Sequence, residues 1–200
     1  MRYYLSSYKI GNKADKLKKM IRNGKSLGFV PNASDHRKPK DRKESNQRNM
    51  KDLIDIGINA EMLDLKKYFS KKKELKKKLD SLAGIWVKGG NPFVLRQAMN
   101  LSGLDKILKN MKRRDFLYGG VSAGGCVLSP SLKYLQIVDD PTMTPYKTKK
   151  VIWEGLGLID YAFLPHYKSD HKNIDKEIEY CKKNKIPFKT LRDGEVIIIE

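Results

Sequence analysis

Short apolar runs that alternate with longer helical stretches constrain the fold of this chain more than any other feature of its sequence. The runs that are typical of β-strands lie at residues 2–6, 27–31, 57–63, 84–88 and 115–121. Strands that alternate with helices indicate a parallel sheet, and short strands that are apolar throughout fit a sheet covered on both faces. We therefore predict an α/β fold, with a mostly parallel sheet and helices on both of its faces.

The last third of the chain departs from this alternation. The stretches YLQIVDDP (134–141) and DYAFLPHY (160–167) are typical of strands or strand ends. The stretch FKTLRDGEVIIIE (188–200) is typical of a hairpin, with Asp193-Gly194 as its two-residue turn. We expect this antiparallel hairpin at one edge of the sheet. With 200 residues, the chain is predicted to form a single domain over residues 1–200.

The net charge of the chain is strongly positive, at +19, which is compatible with a nucleic-acid partner. The excess is mostly lysine and is spread along the chain. Its densest part, residues 66–82, places Leu75, Leu79 and Leu82 at helical spacing, which indicates an amphipathic helix with a lysine outer face. Because no aromatic side chains alternate with these lysines to stack bases, a solvated basic surface is favoured and nucleic acid is not the expected partner.

The sequence predicts a cytoplasmic protein. It contains no apolar run of about 18 residues, the length of a membrane span, and residues 1–13 do not follow the pattern of a signal peptide. The cysteines, Cys126 and Cys181, have no metal-ligand spacing. They suit a reducing compartment in which buried thiols stay free, and we expect Cys126 to be a packed core thiol.

A glycine-rich turn after the fifth predicted strand isolates one serine. Residues 120–124 read Gly-Val-Ser-Ala-Gly, and a strand that ends in Gly-x-Ser-x-Gly and leads into a helix is the pattern of a nucleophile elbow. In such a turn the hydroxyl of Ser122 would project from the carboxyl end of the sheet. The N–H of Ala123 would then face a developing oxyanion. A plain glycine-rich turn between a strand and a helix is the alternative reading of this motif.

A second turn of this kind follows the fourth predicted strand, in GIWVKGGNPFVL (84–95). Asn91 is a favourable N-cap and Pro92 a favourable first helical residue. The turn Gly89-Gly90 would therefore expose N–H groups at the carboxyl edge of the sheet, where an oxyanion hole or an anion site is built. An ordinary capped turn is the alternative reading.

One histidine is a candidate general base. His166 follows the apolar run AFLP and would stand at the end of a strand, whereas His36 and His171 lie in polar or charged stretches and are expected to be solvated. A serine on an elbow and a histidine within its reach are the two groups that nucleophilic catalysis requires.

These segments together resemble one family of enzymes. KGGNPFVLRQ (88–97), GGVSAGGCVLSP (119–130) and FLPHY (163–167), in this order and spacing, are similar to the dipeptidase E (alpha-aspartyl dipeptidase) family. These are serine peptidases with a fold like that of class I glutamine amidotransferases. The resemblance extends from the first strand to LRDGEVIII (191–199). It implies hydrolysis of short peptides through an acyl-enzyme, with no metal or organic cofactor.

The resemblance also implies roles for individual residues. Ser122 would be the nucleophile and His166 its general base, and the N–H groups of Gly90 and Ala123 would form the oxyanion hole.

The third, acidic member is not assigned uniquely by the resemblance. The family has an aspartate downstream of the serine, for which Asp139 and Asp140 are the candidates here, and residues 184–191 contain no acid that could match a late glutamate. The sequence departs from the family at Pro92, where threonine is usual. Residues 167–183 carry lysines where aspartate-specific members use an arginine, and lysine meets a carboxylate only as a point charge. The sequence therefore does not establish a preference for aspartyl substrates, and it does not predict the oligomeric state.

Two other functions remain open at this stage. One is a catalytically silent amidotransferase-like domain that binds a small acidic ligand, which an intact elbow without an acid near His166 would favour. The other is a basic nucleic-acid-associated protein, which steeply salt-dependent binding to duplex DNA would favour.

Overall fold

The structure is a computed structural model that describes residues 1–21, 25–111, 115–148, 150–170 and 173–200. Its strands are β1 Arg2–Ser6, β2 Leu27–Val30, β3 Ala60–Met62, β4 Gly84–Val87, β5 Leu117–Val121, β6 Ala162–Leu164, β7 Phe188–Thr190 and β8 Val196–Ile199. Its α-helices are α1 Ala14–Lys19, α2 Pro39–Asp55, α3 Lys72–Asp80, α4 Pro92–Ser102, α5 Leu104–Asn110, α6 Ala123–Cys126 and α7 Ile174–Lys183. Short 3-10 helices lie at Asn32–Ser34, Leu65–Tyr68 and Lys133–Ile137.

The main sheet is mostly parallel, which confirms the predicted fold class. In the described residues its strand order is β3-β2-β4-β5-β1-β8, and every neighbouring pair is parallel except β1 and β8. The antiparallel edge is therefore formed by the first and the last strand of the chain. β7 does not pair with β8 as a hairpin would require, because it pairs in parallel with β6 in a separate two-stranded sheet.

Apolar side chains cover both faces of the sheet. Along β1, Tyr3 and Leu5 point into one hydrophobic cluster and Tyr4 into the other, as the alternation of side chains along a strand requires. The first cluster includes residues of α3, α4, α5 and α7, and the second includes residues of α1 and α2. Within the described residues, no helix is both long and apolar enough to cross a membrane.

The stretch 134–141 differs from its predicted strand. Residues 133–137 form a 3-10 helix, and the N–H of Asp139 donates to the carbonyl of Leu135 at 2.9 Å. Tyr134 and Leu135 are both buried although they are adjacent in sequence. The strand prediction was wrong here, because the backbone of this segment makes i→i+3 hydrogen bonds, from Leu135 to Leu132 and from Val138 to Leu135, in place of bonds to a neighbouring strand.

A buried ion pair joins α4 to α5. Arg96 Nη1 and Asp105 Oδ2 lie 3.0 Å apart with side chains that are 8% and 6% exposed, and Arg96 Nε also donates to the Glu154 carbonyl. α4 itself begins at Asn91, whose side chain accepts from the N–H groups of Phe93 and Val94. The ion pair thus holds the helix that follows the Gly89-Gly90 turn.

We expect Asp105→Ala to lower the free energy of unfolding by about 3 kcal/mol, because it leaves the Arg96 charge buried without a partner. The matched control is Asp55→Ala, which removes an i,i+4 pair with Lys51 whose side chains are 53% and 71% exposed. Such surface pairs contribute about 0.5 kcal/mol. Urea unfolding of both variants measures the difference, and equal losses would contradict a structural role for the buried pair.

Candidate active site

Ser122 lies at a sharp turn between β5 and α6. Its backbone has φ 48° and ψ −113°, a conformation that costs free energy for a residue other than glycine and persists only when its surroundings enforce it. Its N–H donates to the carbonyl of Ser6 at 3.0 Å, and its carbonyl accepts from the N–H groups of Gly125 and Cys126. These hydrogen bonds to β1 and to the following turn hold the strained conformation.

The flanking glycines are required by close backbone approaches. A Cβ on Gly120 would lie 2.7 Å from the carbonyl oxygen of Gly124, and a Cβ on Gly124 would overlap the carbonyl oxygen of Val87 on β4. The Gly-x-Ser-x-Gly spacing is therefore explained by the packing of the elbow against itself and against the neighbouring strand. The helix that follows is only four residues long.

His166 follows β6 and faces the serine. Its Nε2 lies 3.0 Å from Ser122 Oγ, so the structure brings together these two residues that the sequence singled out. The backbone of His166 also has a positive φ, 63°, and its N–H donates to Ser7 Oγ at 2.8 Å. Ser7 directly follows β1 and is fully buried.

An aspartate near the C-terminus completes a chain of hydrogen bonds. Asp193 Oδ1 lies 2.7 Å from His166 Nδ1 and accepts a second hydrogen bond from Ser7 Oγ at 2.9 Å. Asp193 lies in the turn between β7 and β8, which is closed by a hydrogen bond from the N–H of Glu195 to the carbonyl of Arg192. Sequence reasoning identified this turn but not the contact of Asp193 with His166, and it missed Ser7 entirely.

The structure does not bring Asp139 or Asp140 to His166 as the acidic partner, which corrects the expectation from the sequence. The Asp140 carboxylate is exposed and accepts from the N–H and the hydroxyl of Thr142. The Asp139 side chain is half-buried and makes no hydrogen bond to a described residue. The physical reason is the path of the chain. Residues 138–140 follow the 3-10 helix and pass Ser122, whereas the turn between β7 and β8 brings Asp193 to His166 Nδ1.

The turn Gly89-Gly90 lies against the elbow. A Cβ on Gly89 would stand 3.2 Å from Ser122 Cβ, and one on Gly90 would stand 2.5 Å from the Ala33 carbonyl oxygen. Gly90 has φ +146°, and the N–H of Asn91 donates to Ala33 O at 2.8 Å. In the described residues no such turn hydrogen bond occupies the N–H of Gly90 or that of Ala123. The two expected oxyanion donors thus lie on the turns that flank Ser122.

A strongly cationic cleft opens above these residues. It has a volume of about 680 Å³ and contains Ser122, His166 and Asp139 in its lining. The cleft is also lined by five basic side chains and one further acidic one: Lys9, Arg37, Arg48, Lys51, Lys88 and Asp52. A cleft with this excess of positive charge attracts anionic groups of a ligand.

Lys88 is the most buried of these cations. It is only 4% exposed, and its Nζ donates to Ser34 Oγ and Asn46 Oδ1, both at 3.0 Å. Burial, and then the nearby charges of Arg37 and Arg48, lower the pKa of Lys88 to about 8.

Of the two remaining histidines, the structure describes only His36. His36 lines the cleft and is half-buried where the sequence predicted a solvated side chain, and burial lowers its pKa. His171 lies outside the described residues.

Two carboxyl groups lie behind the serine. Burial raises the pKa of Asp139 to about 7. Burial, and then the charge of Asp139, raise the pKa of Glu177 on α7 to about 8. Both line a small cavity together with Ser122 and His166. At neutral pH this pair therefore retains part of its protons.

Other reactive groups nearby are not arranged as ligands. Cys126 and Cys181 are buried free thiols, and burial raises the pKa of Cys126 well above its ordinary value. Across the described residues, no cluster of three or more His, Cys, Asp or Glu side chains could hold a metal ion.

Comparison with known proteins identifies the family of this chain. Residues 7–200 match the model of Peptidase family S51, and the chain belongs to this family. It is 32% identical to an uncharacterised peptidase of Listeria monocytogenes over 170 residues, 82% of this chain and 77% of the relative. It is also 32% identical to peptidase E of Streptomyces coelicolor over 131 residues, 62% of this chain and 51% of the relative.

Solved structures show the same fold. A candidate peptidase E from Listeria monocytogenes superposes with a TM-score of 0.73 at 25% identity, covering all of this chain and 98% of that one. A peptidase from an acI-B1 actinobacterium superposes with a TM-score of 0.72 at 18% identity, covering all of this chain and 83% of that one. The resemblance to the dipeptidase E family is confirmed, and the protein is a peptidase.

The carboxyl pair predicts an unusual dependence of stability on pH. An unfolded chain ionises Glu177 near its ordinary pKa of 4.5, whereas the folded protein keeps this proton to about pH 8. Between these values the folded state binds more protons than the unfolded state, so the Glu177 contribution to the free energy of unfolding falls as pH rises.

Glu177→Gln removes this loss, because glutamine resembles the protonated acid. We expect it to leave stability nearly unchanged at about pH 4 and to raise it by at least about 1 kcal/mol at about pH 8. Urea unfolding across this range measures the difference. Glu179→Gln, on the exposed face of the same helix, is the control, and a Glu177→Gln effect independent of pH would contradict the assignment.

Proposed function

We propose that this protein is a serine peptidase that hydrolyses short peptides through an acyl-enzyme on Ser122. The observation that carries the proposal is the chain of contacts from Ser122 Oγ to His166 Nε2 at 3.0 Å, and from His166 Nδ1 to Asp193 Oδ1 at 2.7 Å. A nucleophile, a base and an acid that orients the base are the parts of a catalytic triad, whatever their order in the sequence.

The geometry supports the following steps. Ser122 Oγ attacks the carbonyl carbon of the scissile peptide bond while its proton passes to His166 Nε2. The same proton then passes to the leaving amine as the C–N bond breaks, and the acyl-enzyme forms. Water, deprotonated by His166, releases the acid and restores the serine.

Asp193 and Ser7 act on His166 rather than on the substrate. Asp193 accepts the Nδ1–H, which leaves Nε2 free to take the serine proton and stabilises the imidazolium that forms. Ser7 Oγ accepts from the N–H of His166 and donates to Asp193, so one hydroxyl positions both partners.

The N–H groups of Gly90 and Ala123 are the proposed donors to the tetrahedral oxyanion. Their turns flank Ser122, and Gly90 packs against the carbonyl of Ala33, which accepts from the N–H of the next residue, Asn91. Rigid donors of this kind cost no reorganisation as charge develops in the transition state.

The cationic cleft favours peptides that carry carboxylates. Arg37, Arg48 and Lys88 line the same cleft as Ser122, and a short peptide always brings at least its own terminal carboxylate. Arginine lies on this wall of the cleft although residues 167–183, beyond His166, carry only lysine. We therefore propose short acidic or zwitterionic peptides as substrates.

The alternatives have less support. A catalytically silent domain would have an intact elbow but no acid near His166. Asp193 lies at hydrogen-bond distance from His166 and so argues against it.

We also propose a cytoplasmic location. The free thiols of Cys126 and Cys181 support it, since a reducing compartment keeps such thiols free.

Ser122→Ala is expected to abolish peptide hydrolysis, because loss of the nucleophile typically costs about a million-fold in kcat. The wild-type protein should be labelled by a fluorophosphonate at Ser122, as mapped by mass spectrometry, and the variant should not. Retention of most of the peptidase activity in the variant would rule out the serine mechanism.

Asp193→Asn is expected to lower kcat by about 10⁴-fold, because the histidine then rests in the wrong tautomer. Asp140→Asn is the control, since its carboxylate is exposed and bonds only to Thr142, and it should stay within a few-fold of wild type. The comparison of kcat for the two variants decides between the acid that contacts His166 in the structure and Asp140, one of the two candidates from the sequence. A nearly normal Asp193→Asn would exclude Asp193 from the mechanism.

A further inference from the structure

Lys88 is a buried cation whose donors are not all used by the described residues. It directly precedes the Gly89-Gly90 turn and is 4% exposed. A lysine ammonium has three N–H donors, and the described residues accept two of them, at Ser34 Oγ and Asn46 Oδ1. Both acceptors are neutral, so neither compensates the charge. A buried charge without an opposite charge costs free energy, and an anion in the cleft would recover part of that cost.

The acid that acts on Lys88 is already bound elsewhere. Burial lowers the pKa of Lys88 to about 8, and the charge of Asp35 opposes this shift only in part. The Asp35 carboxylate lies 3.2 Å from the Arg42 guanidinium and accepts from the Tyr146 hydroxyl at 2.6 Å. Lys88 is therefore mostly charged at neutral pH, and it has no ion pair within the described part of the chain.

Two arginines extend this basic surface. Arg37 and Arg48 line the same cleft as Lys88, and both are exposed. Their charges lower the pKa of Lys88 further, which places them close to its ammonium. Among the described residues, neither guanidinium has an ion pair. We call Lys88, Arg37 and Arg48 the cationic wall. Three positive charges without a counter-ion in the protein are better matched by two negative charges than by one.

The cationic wall and the buried acids lie towards opposite faces of the sheet. Arg48 belongs to α2, on the face of the second hydrophobic cluster, whereas Glu177 belongs to α7, on the face of the first. Ser122 lines both the cleft with the wall and the small cavity with Asp139 and Glu177. A substrate carboxylate is therefore attracted to one side of Ser122 and is not attracted to the other. In a short peptide, the residue that carries the free carboxylate is the leaving residue.

We propose that the cationic wall binds the two carboxylates of an acidic leaving residue, so that the protein prefers short peptides in which a C-terminal aspartate or glutamate follows the scissile bond. This inference rests on the proposed serine mechanism, which fixes the scissile bond at Ser122. The α-carboxylate and the side-chain carboxylate of such a residue leave together with the amine. The wall acts on this leaving residue and not on the residue that forms the acyl-enzyme.

The three cations are suited to different parts of this task. Ser34 and Asn46 hold the Lys88 ammonium in place, so it is a fixed point charge. The two arginines are exposed, and a guanidinium can bind a carboxylate with two parallel hydrogen bonds. Lys88 is separated by one residue from Gly90, the proposed oxyanion donor. A carboxylate at the wall thus lies near the scissile carbonyl, as the leaving residue must.

The test compares dipeptides X-Glu and X-Gln in one reaction, with alanine, leucine, aspartate or lysine as the first residue X. The two members of each pair have nearly the same shape and differ in the charge of the leaving side chain. For each X that the wild type accepts, we expect kcat/KM to be about 10- to 100-fold higher for X-Glu, the range of a charge-assisted hydrogen bond. The amide X-Glu-NH2, which lacks the α-carboxylate, should react about 10-fold more slowly than X-Glu.

Lys88→Met should lower the Glu-to-Gln ratio by about 10-fold or more. Arg48→Gln should lower it as well, and its exposed position makes it the variant that tests the wall even where the buried substitution prevents folding. Lys73→Met, at an exposed position of α3, is the matched control and should leave the ratio unchanged. The rate at which a fluorophosphonate labels Ser122 should be the same in every folded variant.

The outcomes separate this inference from the serine mechanism. A wild-type ratio near one, an amide that reacts as fast as the acid, or a ratio that survives Lys88→Met and Arg48→Gln overturns the inference. A preference for an acidic first residue that these substitutions abolish also overturns it, because the wall would then bind the acyl residue.

The labelling of Ser122 decides the remaining cases. Labelling without hydrolysis of any dipeptide overturns the assignment of the wall while the nucleophile stands, and failure of the label overturns the serine mechanism itself. A ratio that is lost in Lys88→Met or Arg48→Gln and kept in Lys73→Met, with labelling intact, supports the inference.

Discussion

The parallel pairing of β5 with β4 and β1 is the constraint on which the rest of the site depends. It aligns the carboxyl ends of three adjacent strands, and the residues that follow them are Ser7 after β1, the Gly89-Gly90 turn after β4, and Ser122 after β5. Each turn is held by contacts to a neighbour: Ser122 N–H bonds to Ser6, and Gly124 packs against Val87. The strain at Ser122 is therefore sustained by the contacts of its turn with the neighbouring strands.

A second feature is the separation of buried charges around that edge. Desolvation destabilises every buried charge, and it moves the pKa of Lys88 down and those of Asp139 and Glu177 up. The protein keeps these groups although Asp139 and Glu177 have no ion pair within the described residues.

Local patterns predicted much of the fold and part of the site. The strands and the capped turn at Asn91 follow from composition and spacing, because apolar runs and turn residues act over a few positions. The Gly-x-Ser-x-Gly motif around Ser122 is equally local, since its glycines are needed for contacts within the elbow. The strand at 134–141 and the hairpin at 188–200 were less predictable. An apolar run such as that near Tyr134 suits a buried 3-10 helix as well as a strand. The sequence of β7 indicates a strand but does not specify which other strand it pairs with.

The sequence by itself determined that a strained serine stands at the carboxyl end of a strand and that a histidine follows a later strand. Only the tertiary structure decided which acid meets that histidine. Asp193 is 27 residues from His166 in the chain, and it arrives because β8 pairs antiparallel with β1 and so brings the preceding turn beside Ser7. Asp139, one of the two candidates from the sequence, follows the 3-10 helix and lines the small cavity behind Ser122. The pairing of strands that are distant in sequence places Asp193 beside His166. Its favourable free energy comes from contacts between distant segments, and a local sequence pattern carries no information about those contacts.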